Sequence, residues 1–168
     1  LWRPFVEADR LAYRISRRLV KPLLGNRLAF EEENADLGLA FRHAWTTSGR
    51  FGLVRECRLQ NRGAGPVEVL LLDGLLNLMP ADVGEELQLR LSSLVDAYKR
   101  TERVPGTPLA LVTLAAQVVD LPEPKESLHA TTVFSLGLPG LRVHLDAGAL
   151  ERFVAGLPLE ERDESRGR

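Results

Sequence analysis

From Asn26 onward, large apolar side chains recur at every second position, the spacing that turns one face of a β-strand toward a core and the other toward water. Leu28 and Phe30 alternate with charged neighbours until Asn34 and Asp36 break the run. Between Leu37 and Trp45 the odd positions carry Leu37, Leu39, Phe41, His43 and Trp45, while the even ones are small or charged, which predicts a long strand. After the turn residues Thr46 to Gly49, the side chains of Phe51, Leu53, Cys57 and Leu59 share a face that Arg55 interrupts, and a second strand follows from that pattern. Asn61, Gly63, Gly65 and Pro66 then supply turn chemistry before Val67 to Leu72 return to strand composition, so a hairpin is expected over 51–72.

The period changes between Asp82 and Arg103. Val83, Leu87, Leu91, Leu94, Val95 and Tyr98 fall on one stripe of an amphipathic helix, with Asp82 placed to cap its first amides and Lys99, Arg100 and Arg103 suited to the negative end of its dipole. The apolar run Leu109 to Val119 fits a strand buried on both faces, its Val112, Thr113, Val118 and Val119 favouring strand over helix. Leu121 to Pro124 reads as a loop, His129 to Leu136 and Leu141 to Leu145 as further strands, and Ala147 to Ala155 as a short helix ended by Gly156. Tyr13 to Ile15 and Arg18 to Val20 are candidate edge-strand pieces. Together these elements predict a mainly β fold: a two-sheet antiparallel β-sandwich with one amphipathic helix near 82–103 and a short C-terminal helix. One domain over 1–157 is expected, followed by a disordered charged tail at 158–168 that has almost no apolar residue to hold it.

Composition narrows the function classes. The chain has 168 residues, 45% of them hydrophobic, enough for a substantial core. Its 22 basic and 23 acidic residues leave a net charge of -1, which argues against a nucleic-acid or anionic-membrane partner. Only Lys21, Lys99 and Lys125 are lysines, and the arginines are spread along the chain rather than clustered as a phosphate footprint would be. A single cysteine, Cys57, leaves no internal disulfide and no cysteine-rich zinc site, and its place in an alternating run predicts a buried, inert thiol. No stretch approaches the roughly 20 apolar residues that span a bilayer, and no cleavable leader is visible. The start at Leu1, leading directly into Trp2, Pro4 and Phe5, reads as a segment of a longer parent chain, expected in the cytoplasm.

Candidate chemistry is sparse. His43, His129 and His144 lie on separate predicted strands without metal-ligand spacing, so no metal site and no cofactor are expected. There is no nucleophile elbow, phosphate loop or dinucleotide turn, and Gly63-Ala-Gly65 is a turn. Asp73 beside Gly74 and Asp96 on the predicted helix are explained by a strand-end turn and a solvated helix face, leaving no catalytic residue to assign. Trp45 and Arg55 are the candidate carbohydrate contacts, because sugar sites present aromatic faces beside polar side chains. The alternation favours a core role for Trp45, as the apolar stripe does for Tyr98, and an ion pair for Arg55.

Several segments taken together carry a resemblance: Leu39-Ala-Phe-Arg-His-Ala-Trp45, Phe51-Gly-Leu-Val-Arg55, Leu59-Gln-Asn61, Leu72-Asp-Gly-Leu-Leu-Asn-Leu-Met-Pro80 and Asp96-Ala-Tyr-Lys99. Over roughly residues 37–137 the chain resembles the N-terminal β-sandwich, of the galactose-mutarotase-like supersandwich class, of large bacterial proteins related to cellobiose phosphorylases (glycoside hydrolase family 94). In that family the sandwich precedes a helical (α/α) toroid that carries the catalytic acid, and it contributes to dimer contacts or to one wall of the sugar site. The resemblance therefore implies a non-catalytic module of a larger glycoside phosphorylase or hydrolase, whose partners are the toroid of its own parent chain, a second copy, or carbohydrate. Two other readings stand beside it: a structural or dimerisation domain with no ligand, and an autonomous mutarotase-like sugar epimerase. The last requires histidines and carboxylates to converge in one cleft.

Overall fold

Strands β1 (Ile15–Val20), β2 (Arg27–Asn34), β3 (Leu39–Ser48) and β4 (Gly52–Asn61) form an antiparallel sheet in the order β1-β2-β3-β4. The computed structural model describes residues 1–119 and 126–167, and these make a mainly β protein with two four-stranded antiparallel sheets and two short helices. The class and the antiparallel two-sheet content agree with the reading of the sequence. Two compact units divide the chain, Leu1–Leu70 and Leu71–Arg168, where a single domain over 1–157 is expected from the sequence.

In the first unit the turns are set by short polar side chains. Asn34 Oδ1 accepts hydrogen bonds from the amides of Asp36 (3.1 Å) and Leu37 (3.0 Å), which holds Leu37 in the turn and starts β3 at Leu39. Ser48 Oγ accepts from the amides of Arg50 and Phe51, and Gly52 at φ 68° completes the three-residue connection into β4. The hairpin is thus β3–β4, not the expected 51–72 pairing. After β4, Asn61 accepts from the Gly63 amide (2.8 Å) and donates to the Gly65 carbonyl (2.7 Å), turning the chain away. Val67 to Leu72 form no strand, and the unit boundary falls within them.

Register places Phe30 opposite His43 and Glu32 opposite Phe41, so these four share one face of the sheet. The N-terminal segment lies on that face: a 3-10 turn at Glu7–Leu11 follows Phe5, whose ring sits 5.1 Å from His43 and 6.2 Å from both Phe30 and Phe41. Ala29, Leu39, Phe41 and Ala44 are buried, together with Glu32 and Asn34. Cys57 belongs to the same row as His43 but stands on the outer strand β4 of its sheet, and it is exposed rather than buried.

The second unit holds helix α1 (Glu85–Tyr98), strands β5 (Lys99–Arg103), β6 (Leu109–Leu114) and β7 (Thr131–Phe134), helix α2 (Ala149–Val154) and strand β8 (Glu164–Arg166), with sheet order β7-β6-β5-β8. The helix expected over 82–103 is shorter at both ends. Gly84 is its N-cap residue, Asp82 stands outside it at φ 64°, and Leu91 departs from helical geometry (φ −133°, ψ 32°). Lys99 to Arg103 leave the helix because they pair with β6 on one side and β8 on the other, ladder bonds that outweigh the helix preference of Lys and Arg. The charged tail is correspondingly not all irregular, since Arg103 and Asp163 are joined by backbone and side-chain hydrogen bonds and β8 completes the sheet.

β6 buries alternate residues, Ala110, Val112 and Leu114, so it is covered on one face, not both. The expected strand at Leu141 to Leu145 is absent. Helix α2 ends as expected: Gly156 at φ 69° donates to the Phe153 carbonyl and Leu157 to that of Arg152, the two bonds of a left-handed helix stop. The loop expected at Leu121 to Pro124 lies outside the described residues. Among the described residues no helix is long and apolar enough to cross a membrane.

Candidate functional site

Trp45 and Arg55, ten residues apart in sequence, are direct cross-strand partners in the β3–β4 ladder. The amide of Arg62 bonds to the carbonyl of Gly38, and counting along the ladder from that pair puts Trp45 and Arg55 at a non-hydrogen-bonded position, where side chains approach most closely. Leu28 stands opposite Trp45 on the other side. Trp45 and Arg55 are both half-buried, so Trp45 is not enclosed in the core as the alternation favours. The register thus puts a tryptophan and an arginine opposite each other on one sheet face: an indole is a flat apolar surface and a guanidinium a planar fork of N–H donors.

The same face holds a buried carboxylate that the sequence reading misses. Glu32 is 1% exposed, and its oxygens accept from Trp2 Nε1 (2.7 Å), the Phe5 amide (2.7 Å) and Arg17 Nε (2.6 Å). Arg17 also donates to Glu7 (2.6 Å) and to the Val6 carbonyl (3.0 Å). Asp9, 4% exposed, accepts from the amide and the guanidinium of Arg3. Burial opposes ionisation of Asp9, but the hydrogen bonds from Arg3 prevail and hold its carboxyl below the usual range. Hydrogen bonding from Arg17 does the same for Glu7. These acids are tethers for the N-terminal segment. Glu32 following Leu28 and Phe30 at the parity of an apolar row is the sequence signal that points to it.

The other candidates fall in both units. His43 stacks on Phe30 with ring centroids 4.9 Å apart, in the first unit. His129 and His144 belong to the second, where His129 Nδ1 lies 2.8 Å from Asp82 Oδ2 and His144 Nδ1 lies 3.0 Å from the Glu160 carbonyl. Asp96 lies on α1, Asp73 lies in an irregular stretch, and Tyr98 is 43% exposed at the helix end and not in a core. Among the described residues no group of three His, Cys, Asp or Glu converges as a metal site would. On the opposite face of the first sheet, Arg18, Glu31, Glu33, Arg42 and Arg58 line a depression of about 200 Å³. No protein-family model matches the chain, and no curated protein matches it with significant similarity.

Proposed function

We propose that this chain is a non-catalytic β-rich module of a larger carbohydrate-active protein of glycoside phosphorylase or hydrolase type, and that the Trp45–Arg55 pair is its sugar contact. The observation that carries the reading is that cross-strand pair, a tryptophan and an arginine opposite each other on one sheet face. A pyranose offers the complementary surfaces, an apolar ring face edged by hydroxyls, and the pair matches both. The structural use of Glu32, Asp9 and Glu7 supports a non-catalytic role, because the acids of the first unit that are best placed for chemistry are taken up in anchoring. The resemblance to the sandwich of cellobiose phosphorylase relatives supports the class of protein and the choice of β-linked glucans as first ligands to test.

Calorimetric titration of the whole chain with cello-oligosaccharides, beside a glycan array, tests the reading. Binding that weakens about tenfold or more in both Trp45→Ala and Arg55→Gln is the expected result. Silence against all glycans by a fully folded chain overturns the sugar contact and leaves a structural role.

A further inference from the structure

On the face of the first sheet turned away from the N-terminal segment, the register builds a row across all four strands: Arg18 pairs with Glu31, Glu31 with Arg42, and Arg42 with Arg58. The row holds three cations and one acid. Glu31 serves two of them, lying 3.0 Å from Arg42 and 4.0 Å from Arg18. Arg42 and Arg58 stand directly opposite each other, a like-charge pair that lowers stability. The next row is Ser16, Glu33, Ala40 and Gln60, in which the short side chains of Ser16 and Ala40 leave a hollow among longer ones. Arg62, bonded through its amide to Gly38 one step beyond β4, lines the same depression.

Four arginines therefore face Glu31 and Glu33 around the depression, while Glu32, also at its wall, gives its carboxylate to Arg17. A surplus of two positive charges remains. Arg58 and Arg62 are both exposed, and among the described residues neither has an acidic side chain within ion-pair distance. We infer that the depression is a site for a small dicarboxylate, one carboxylate taken by Arg58 and the other by Arg62. A guanidinium is a planar fork that meets a carboxylate in two parallel hydrogen bonds. Two forks four positions apart along extended chain, about 13 Å between their Cα atoms, suit two separated charges better than one tetrahedral dianion. The volume of about 200 Å³, below the roughly 300 to 1,000 Å³ of sites for drug-sized ligands, limits the ligand to a few carbon atoms. Gln60, between the two arginines, and Ser16 offer neutral groups for hydroxyls on such an acid. An anion held by Arg58 also relieves its opposition to Arg42. The site lies on the sheet face opposite Trp45 and Arg55, and its argument is independent of the carbohydrate reading.

Calorimetric titration of the full chain with succinate, in about 150 mM sodium chloride to screen long-range attraction, tests it. Succinate is expected to bind with a Kd of about 1 mM or tighter, and acetate and inorganic phosphate at least about tenfold more weakly. Arg58→Gln and Arg62→Gln should each weaken succinate binding about tenfold or more. Arg50→Gln, at an exposed position in the turn before β4 and outside the depression, should leave it unchanged. Thermal melts confirm that each variant folds. Four results overturn the inference: no saturable binding of succinate, phosphate binding as tightly as succinate, affinity indifferent to Arg58→Gln and Arg62→Gln, or an equal loss in Arg50→Gln.

Discussion

Trp2 donates its indole N–H to Glu32 Oε1 at 2.7 Å across thirty residues of sequence, joining the start of the chain to a carboxylate buried in the sheet. Arg17 and the Phe5 amide complete the shell around that carboxylate, and Phe5 adopts φ 70°, an unusual conformation for a bulky residue, as it packs on Phe30 and Phe41. Replacing Glu32 by Ala strands three donors, one of them the charged Arg17. We expect a loss of about 3 kcal/mol in urea unfolding. Trp2→Phe, which deletes one neutral donor, is expected to cost about 1 kcal/mol.

The same segment sets an acid sensitivity. The carboxyls of Asp9 and Glu7 have folded pKa values below their ordinary ones, Asp9 through Arg3 prevailing over burial and Glu7 through Arg17. A depressed carboxylate contributes stability that is fully present above its unfolded value and lost as pH falls through the folded one. Thermal stability is therefore expected to be level above about pH 5 and to fall below about pH 4. Arg3→Gln, which removes the opposing cation from Asp9, should lower stability at neutral pH and flatten that acid limb. An unchanged limb in the variant would separate Asp9 from the effect.

Gly38 turns β2 into β3 at φ 63°, and a Cβ there would lie 3.3 Å from the amide nitrogen of Gly63. Conformation and space both oppose a side chain. Gly38→Ala is expected to cost about 1–2 kcal/mol in chemical denaturation, against a few tenths for Gly49→Ala, whose Cβ would meet nothing within 4 Å.

Strand β8 protects the outer edge of β5. The Arg103 amide donates to the Asp163 carbonyl and the Gly167 amide to that of Lys99, each at 2.8 Å. Truncation after Glu161 is expected to speed exchange of the Arg103 amide by an order of magnitude or more, with little change at Val112 in the middle of β6. Equal acceleration at both positions would mean that β8 supports the whole unit.

How much of this was legible in the sequence depends on the range of the interaction. Period-two alternation locates β2, β3 and β4 to within a few residues because one face of each is set against water along its length. Gly156 marks the end of α2 for an equally local reason. The N-terminal anchor is invisible to any window, since Trp2 and Phe5 find their acceptor some thirty residues away. Val67 to Leu72 and Leu141 to Leu145 have strand composition and no ladder partner, and composition does not supply one. Lys99 to Arg103 show the converse, polar residues made into a strand by neighbours on both sides. For the candidate site, alternation identifies Trp45 and Arg55 separately, and their direct opposition follows only from the register that the loop at residues 49–51 imposes.

The sugar-contact reading makes a prediction specific to one side chain. Trp2 and Trp45 are the only tryptophans, so a proton–nitrogen correlation spectrum of the whole chain carries two indole signals. Titration with a cello-oligosaccharide should shift the Trp45 indole signal saturably and leave that of Trp2, fixed on Glu32, in place. A Trp45 signal that stays unmoved at saturating sugar would contradict the account.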